Sequence, residues 1–242
     1  MKNLKKILNN RKTLVFLDFE ATQIHHHLIQ IGAVKATIGE DYRITKISKP
    51  FSLYVIPKEP VGKYVTKLTG ITDEIIKKEG VPFKEAQKLF KKYVGYEFGQ
   101  ALFVTFSSSD RDILNATTLA NDDCNHPWTH HLLKNHWDFA SYLGQYITDD
   151  YGQYLSLKHY LELFKIEEVG KSHDAKNDAL DLLHLYDHFL KDVELVKEEY
   201  LKTIIRNRKM PFPVKNLLLK LSQGEAVTLS DLKDEIEKDI NG

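Results

Sequence analysis

Hydrophobic and polar positions follow two different periods along this chain, and the switches between them mark out its elements. "TLVFLDFE" (13–20) is apolar on both faces until its acids, the pattern of a central strand covered on both sides. "LIQIGAVKATI" (28–38) and "ITKISKPFSLYVIP" (44–57) continue as strands, separated by the turn-like "GEDYR". A helix is predicted from Lys84 to Phe98, and "ALFVTF" (101–106) reads as another buried strand. "SSSDRDILNATTLA" then predicts a helix with a serine cap. Residues 121–136 are poorly periodic and precede a short strand around Trp137–Phe139, and helices are predicted over 156–164 and 174–190. Beyond about residue 192 come three short helical candidates and no strand. Strands followed by alternating strand and helix predict an α/β sheet with helices on its faces. The expected division is a domain over residues 1–192 and a helical C-terminal extension over 193–242.

Composition narrows the class. Apolar residues make up 42% of the 242, enough for a sizeable core, and 34 basic residues balance 34 acidic ones. That balance argues against a protein that coats duplex nucleic acid through a strong overall field, though not against a local basic groove. The single cysteine, Cys124, rules out an intramolecular disulfide and suits a reducing compartment. The apolar run behind the basic N-terminus stops at Asp18, too short for a signal segment, so a soluble, cytoplasmic protein is expected.

Three acidic positions resist a purely structural explanation. Asp18 and Glu20 are two apart on a strand and share a face. An acid on so apolar a strand costs several kcal/mol to bury, to order of magnitude, unless cations or hydrogen bonds compensate; otherwise the strand ends at Leu17 and both acids are solvated. Asp178 lies in line with Leu182, Leu185 and Phe189, on the buried stripe of its helix, whereas Asp181, His184 and His188 are expected on the solvated face. A helix-start acid would suit Asp174 better. Asp110 follows a buried strand at a strand-to-helix junction, where α/β proteins place ligands, and spacing does not separate it from Asp112. If these acids converge, divalent cations must offset their repulsion, and hard oxygen donors suit Mg²⁺ or Mn²⁺. Two such ions, about 3.5–4 Å apart, can clamp a phosphodiester during hydrolysis. His173, five residues before Asp178, is placed to serve as a base.

At this point the sequence resembles the DEDDh 3′→5′ exonucleases, the superfamily of RNase T and of the proofreading subunit of DNA polymerase III. "FLDFEAT" looks like the first motif and "VTFSSSDRDIL" is similar to the second, with Asp110 in the place of its acid. "HDAKNDA" matches the third, His-x-Ala-x-x-Asp-Ala, and "LTGIT" (68–72) and "LSLKHYLELFKI" (155–166) support it. The resemblance runs from about residue 13 to 190. It implies an RNase H-like fold with a central mixed five-stranded sheet, and two Mg²⁺ or Mn²⁺ ions held by Asp18, Glu20, Asp110 and Asp178. It also implies His173 as the base, and Phe19, Ala21, Thr22 and Ser107 against the substrate. The implied substrate is a single-stranded or frayed nucleic-acid 3′ end, released as nucleoside 5′-monophosphates. Within the family, the histone-mRNA 3′ exonucleases and their sporulation-inhibitor-like relatives are most similar, which tilts the expectation from DNA toward RNA. Three serines at 107–109 depart from that branch, which usually has glycine, an acid and an aromatic there. The rivals are a DNA-directed repair or proofreading exonuclease and a nucleic-acid-binding module that keeps the fold without catalysis.

Other signals carry less. "CNHPWTHHLLKNH" (124–136) spaces His126 and His130 for one helix face, but without a paired cysteine or an HExxH pattern, surface histidines in a long connection are expected rather than zinc. His25–His27 are candidate substrate contacts or plain solvated loop, and the loop is preferred. Trp128 and Trp137 are expected in packing. The basic run Lys202, Arg206, Arg208, Lys209, Lys215 and Lys220 reads as a solvated helix face in preference to a nucleic-acid cradle.

Overall fold

The computed structural model describes residues 3–207 and 209–241; Arg208 of the basic run lies outside them. The strands are β1 (Thr13–Ala21), β2 (Leu28–Ile38), β3 (Ile44–Ile47), β4 (Phe51–Tyr54), β5 (Leu102–Thr105) and β6 (His136–Asp138). The helices are α1 (Leu4–Leu8), α2 (Lys63–Thr69), α3 (Asp73–Glu79), α4 (Phe83–Val94), α5 (Ser109–Leu119), α6 (His126–Lys134), α7 (Phe139–Leu143), α8 (Leu157–Leu163), α9 (Ala175–Lys191), α10 (Val193–Arg206), α11 (Phe212–Ser222) and α12 (Leu229–Asn241). They fall into two compact units, residues 1–140 with 156–191 and residues 141–155 with 192–242. No helix of the described residues is long and apolar enough to cross a membrane.

The sheet of the first unit is mixed and runs β3-β2-β1-β5-β6, with β4 also on β2. β1 is antiparallel to β2 and parallel to β5, which is parallel to β6. It counts six strands because the 44–57 stretch is broken around Lys49 and Pro50. β3 pairs with β2 near Thr37, and β4 pairs with it from Gln30 to Ala33.

β1 occupies the centre because both its faces are apolar. Val15, Leu17 and Phe19 join one core with Phe83, Ala86, Phe90 and Val94, the stripe that α4 presents at i, i+3, i+7 and i+11. The opposite face, with Leu14 and Phe16, is covered by α9, whose Tyr186 ring lies 5.5 Å from that of Phe16. Burying each such side chain contributes roughly 1.5–3 kcal/mol, which fixes the register and therefore the face on which residues 18 and 20 emerge. Trp128 and Trp137 both lie in packing, at 4% and 7% exposure.

The helix predicted over 84–98 ends at Val94 and continues as a 3-10 turn over Gly95–Gly99. The histidine-rich connection also folds. Asn125 caps α6, accepting the Trp128 N–H, and Pro127 sits in its first turn.

Within the second unit, α11 and α12 are joined through Glu235, 7% exposed and bonded by Asn216 at 2.8 Å and Lys220 at 3.0 Å. Arg206 pairs with Asp150 at 2.7 Å and Lys202 with Glu199 at 2.6 Å. The basic run, which has no acid of its own, thus finds acids from neighbouring segments for three of its cations.

Candidate active site

The central strand delivers two acids to one face. In the antiparallel pair, Asp18 lies opposite Gly32 and Glu20 opposite Gln30, and a register shift between Glu20 and Ala21 ends the regular ladder just past the acids. Gly32 is required there: a Cβ on it would stand 1.9 Å from the backbone C and O of Ala175. The start of α9 therefore rests on β2 itself. Gln30, 1% exposed, accepts the Ala175 N–H at 3.3 Å and fixes that approach. Asp174 caps α9 by accepting the N–H groups of Lys176 at 3.1 Å and Asn177 at 3.3 Å. Asp178, in the first turn, then faces Glu20 across the gap.

Asp110 arrives from another direction. The last β1–β5 pair is Phe16 with Val104, so β5 does not supply an acceptor for the Phe19 N–H. The Asp110 carboxylate takes that place at 3.1 Å. This separates the two candidates that spacing alone did not, since Asp110 is 6% exposed while Asp112 faces solvent. The predicted serine cap takes a different form. Ser108 sits at the cap position without a side-chain bond, and Ser107 Oγ accepts the Ser109 N–H at 3.2 Å instead.

Asp18, Asp110, Asp178 and His173 line one cleft of about 430 Å³, together with Phe19 and Ser107. Glu20 joins them, since donor atoms of Glu20, His173 and Asp178 all lie within 4.8 Å of one another. His173 adopts a left-handed backbone (φ 62) and donates its N–H to Asp178 Oδ2 at 3.1 Å, so the histidine and the carboxylate are tied to one turn. Ala21 and Thr22 are not part of the cleft lining. Thr22 is 1% exposed, and its hydroxyl donates to Glu59.

The charges do not sit comfortably without a counter-charge. Burial, then the neighbouring Asp110, Glu20 and Asp178, push Asp18 well above the usual carboxylate range. Burial and Asp178 raise Glu20 to about 8. Burial raises Asp110 to about 7 against the pull of its backbone hydrogen bonds, and burial raises Asp178 to about 7 against the His173 N–H. Acids driven up together by burial and mutual repulsion form a set of hard oxygen donors suited to divalent cations.

Two expectations change. Asp181, assigned to a solvated face, is 1% exposed, lines the cleft and accepts the Val169 N–H at 2.9 Å. The helix stripe is wider than the periodicity suggested, because the 167–172 segment folds over it. His25–His27 also do more than fill a solvated loop. Glu59 accepts from the His25 N–H at 2.9 Å and lies 2.6 Å from His25 Nδ1, while Thr22 accepts the His27 N–H at 2.8 Å. Burial pushes Glu59 up, but the hydrogen bonds from Thr22 and His25 outweigh it and hold the carboxyl near 2. The parts that sequence reasoning missed are Gln30, Gly32, Glu59 and Asp181. Of these, Gly32 in mid-strand was the legible signal, since a glycine there marks close backbone approach. Among the described residues, His126, His130 and Cys124 form no metal-ligating group.

Comparison with known proteins agrees with the geometry. The family model described as RNase T, exonuclease, matches residues 15–186. The nuclease domain of 3′hExo, a DEDDh family member solved bound to rAMP, superposes with a TM-score of 0.62 at 19% identity, covering 76% of this chain and 94% of that one. A 3′-exonuclease solved for recognition of the histone mRNA stem-loop gives 0.57 at 18% identity, over 75% of this chain and 83% of that one. E. coli Exonuclease I in complex with a dA16 oligonucleotide gives 0.57 at 17%, over 86% of this chain but 46% of the larger protein. No curated protein matches the chain by sequence.

Proposed function

Because the chain belongs to the RNase T exonuclease family, we propose that it is a 3′→5′ exonuclease. On this reading it trims single-stranded or frayed ends to nucleoside 5′-monophosphates, with RNA preferred to DNA. The observation that carries this reading is the convergence of Asp18, Glu20, Asp110, His173 and Asp178, from three separated segments, on one cleft and its border. The four carboxylates would hold two Mg²⁺ or Mn²⁺ ions, which supply Lewis-acid activation of water and of the phosphoryl oxygens when bound.

The chain's own residues supply the rest. His173, exposed at the cleft and anchored by its N–H to Asp178, accepts a proton from the attacking water. The water oxygen bonds to phosphorus as the bond from phosphorus to the 3′ oxygen of the preceding nucleotide breaks, and that oxygen takes a proton from solvent to become the new 3′ hydroxyl. Phe19 offers an apolar wall and Ser107 a hydroxyl beside the acids. A single-stranded end needs few phosphates gripped, which suits a chain with no net charge. RNA is favoured by the relatives whose structures name rAMP and a histone mRNA stem-loop, and DNA by the one that names dA16.

The test is a time course on 5′-labelled single-stranded RNA and DNA of one sequence, with Mg²⁺ or Mn²⁺. Expected are a ladder shortening from the 3′ end, nucleoside 5′-monophosphate as product, and faster loss of RNA. A product released from the 5′ end, or intact oligonucleotide throughout, contradicts the proposal.

A further inference from the structure

The cleft is built almost entirely against its substrate's charge. Its lining holds Asp18, Asp110, Glu168, Asp178 and Asp181, and the only lysine or arginine among the lining residues is Lys158. A nucleic-acid strand brings phosphates besides the one that is cut, and the acidic lining would repel them.

Lys158 is not explained by the stability of its own helix. It occupies the first turn of α8, two residues after the Ser156 cap. There the helix dipole opposes a cation. Its one ionic partner among the described residues is Glu168, at 3.8 Å, with the two side chains 62% and 32% exposed. A pair that long and that wet contributes little. What the position does provide is a place on the cleft wall, with Glu168 holding the ammonium group loosely enough to be exchanged for another anion.

We propose that Lys158 is a strand-holding residue: its ammonium group leaves Glu168 and grips a non-scissile phosphate of the substrate, setting how tightly the end is held. This rests on the exonuclease reading of the cleft. Lys158 touches substrate but moves no proton, so its loss falls mainly on KM.

The experiment compares wild type, Lys158→Ala and Lys158→Arg on a 5′-labelled single-stranded oligonucleotide across a range of salt. Removing one charged contact should raise KM on the order of tenfold, with the larger part of the loss in KM rather than kcat. The slope of log(kcat/KM) against log[salt] should become shallower by about 0.7, the share of one phosphate contact on a single strand. Lys158→Arg should restore both, and all three proteins should melt alike, because the side chain is exposed. Lys158→Ala with the wild-type KM and salt slope overturns the proposal, as does an equal loss in the arginine variant. A wild-type protein that shortens no oligonucleotide overturns the exonuclease reading instead, so the two failures are distinct.

Discussion

The raised carboxylates of the cleft make the metal-free protein less stable as pH rises. Glu20 moves from an ordinary 4.5 to about 8. A folded-state value above the unfolded one means that the native state holds the proton more tightly. That contribution is complete below pH 4.5 and is lost as pH climbs through 8. Between pH 6 and pH 8, Glu20 alone removes about 2 kcal/mol by linkage. For a protein of this size that lowers the melting midpoint by roughly 4–8 °C. Other groups titrate in the same window. Burial, then Arg111, hold His136 down at about 4, so its contribution runs the opposite way. A Glu20→Gln variant shares the His136 background and cancels it, and the relief of repulsion on Asp18 adds to the difference with the same sign. The assay is a thermal melt in chelator at pH 6, 7 and 8 for both proteins. The difference, Glu20→Gln minus wild type, should grow with pH by about the amount given above. Adding Mn²⁺ should raise the wild-type midpoint, and more so at pH 8, because the ligands must be deprotonated to bind. A difference that stays flat or shrinks between pH 6 and pH 8 would refute the electrostatic account of the cleft.

Gly32→Ala places a Cβ 1.9 Å from the Ala175 backbone and must push α9 off the sheet. It should cost about 1–3 kcal/mol of stability and on the order of a hundredfold in rate through displaced Asp178 and His173. Gly99→Ala, with nothing near its Cβ, is the control. Glu59→Ala removes the acceptor of the buried Thr22 hydroxyl and of the His25 N–H, and a melt should register a loss of about 1–3 kcal/mol. Asp181→Ala leaves the Val169 N–H without its acceptor, so hydrogen exchange across 167–173 should quicken while Asp181→Asn stays close to wild type.

Much of this arrangement is legible in the sequence because hydrophobic burial enforces it. The run Leu14–Leu17 reads as a buried strand and the stripe of Leu182, Leu185 and Phe189 as a buried helix face, and their packing against each other brings Asp18, Glu20 and Asp178 together. What stayed hidden depends on contacts between segments distant in the chain. Asp110 parted from Asp112 only through the Phe19 N–H, a bond across 91 residues. Asp181 looked solvated because one helix's periodicity cannot report the segment that folds over it. The histidines at 25–27 gave no hint of Glu59, more than thirty residues on, because hydrogen-bonded clusters leave no periodic trace. Gly32 in mid-strand was a readable sign of close backbone approach, whereas Gln30 gave none, and the two set the contact between the second strand and the last long helix of the site.

On the proposed reading, the Asp18 cluster is a metal-dependent trimming site. Its most direct test is the initial rate on a 5′-labelled single-stranded RNA with Mn²⁺ for wild type and Asp18→Asn, each with and without chelator, alongside melts of both proteins. Wild type should shorten the RNA stepwise from its 3′ end and stop in chelator. Asp18→Asn should fall by at least about a thousandfold, an activation-barrier loss of about 4 kcal/mol, while melting at or above the wild-type midpoint. An Asp18→Asn protein that trims at the wild-type rate, or a wild type that trims unimpeded in chelator, would contradict the account.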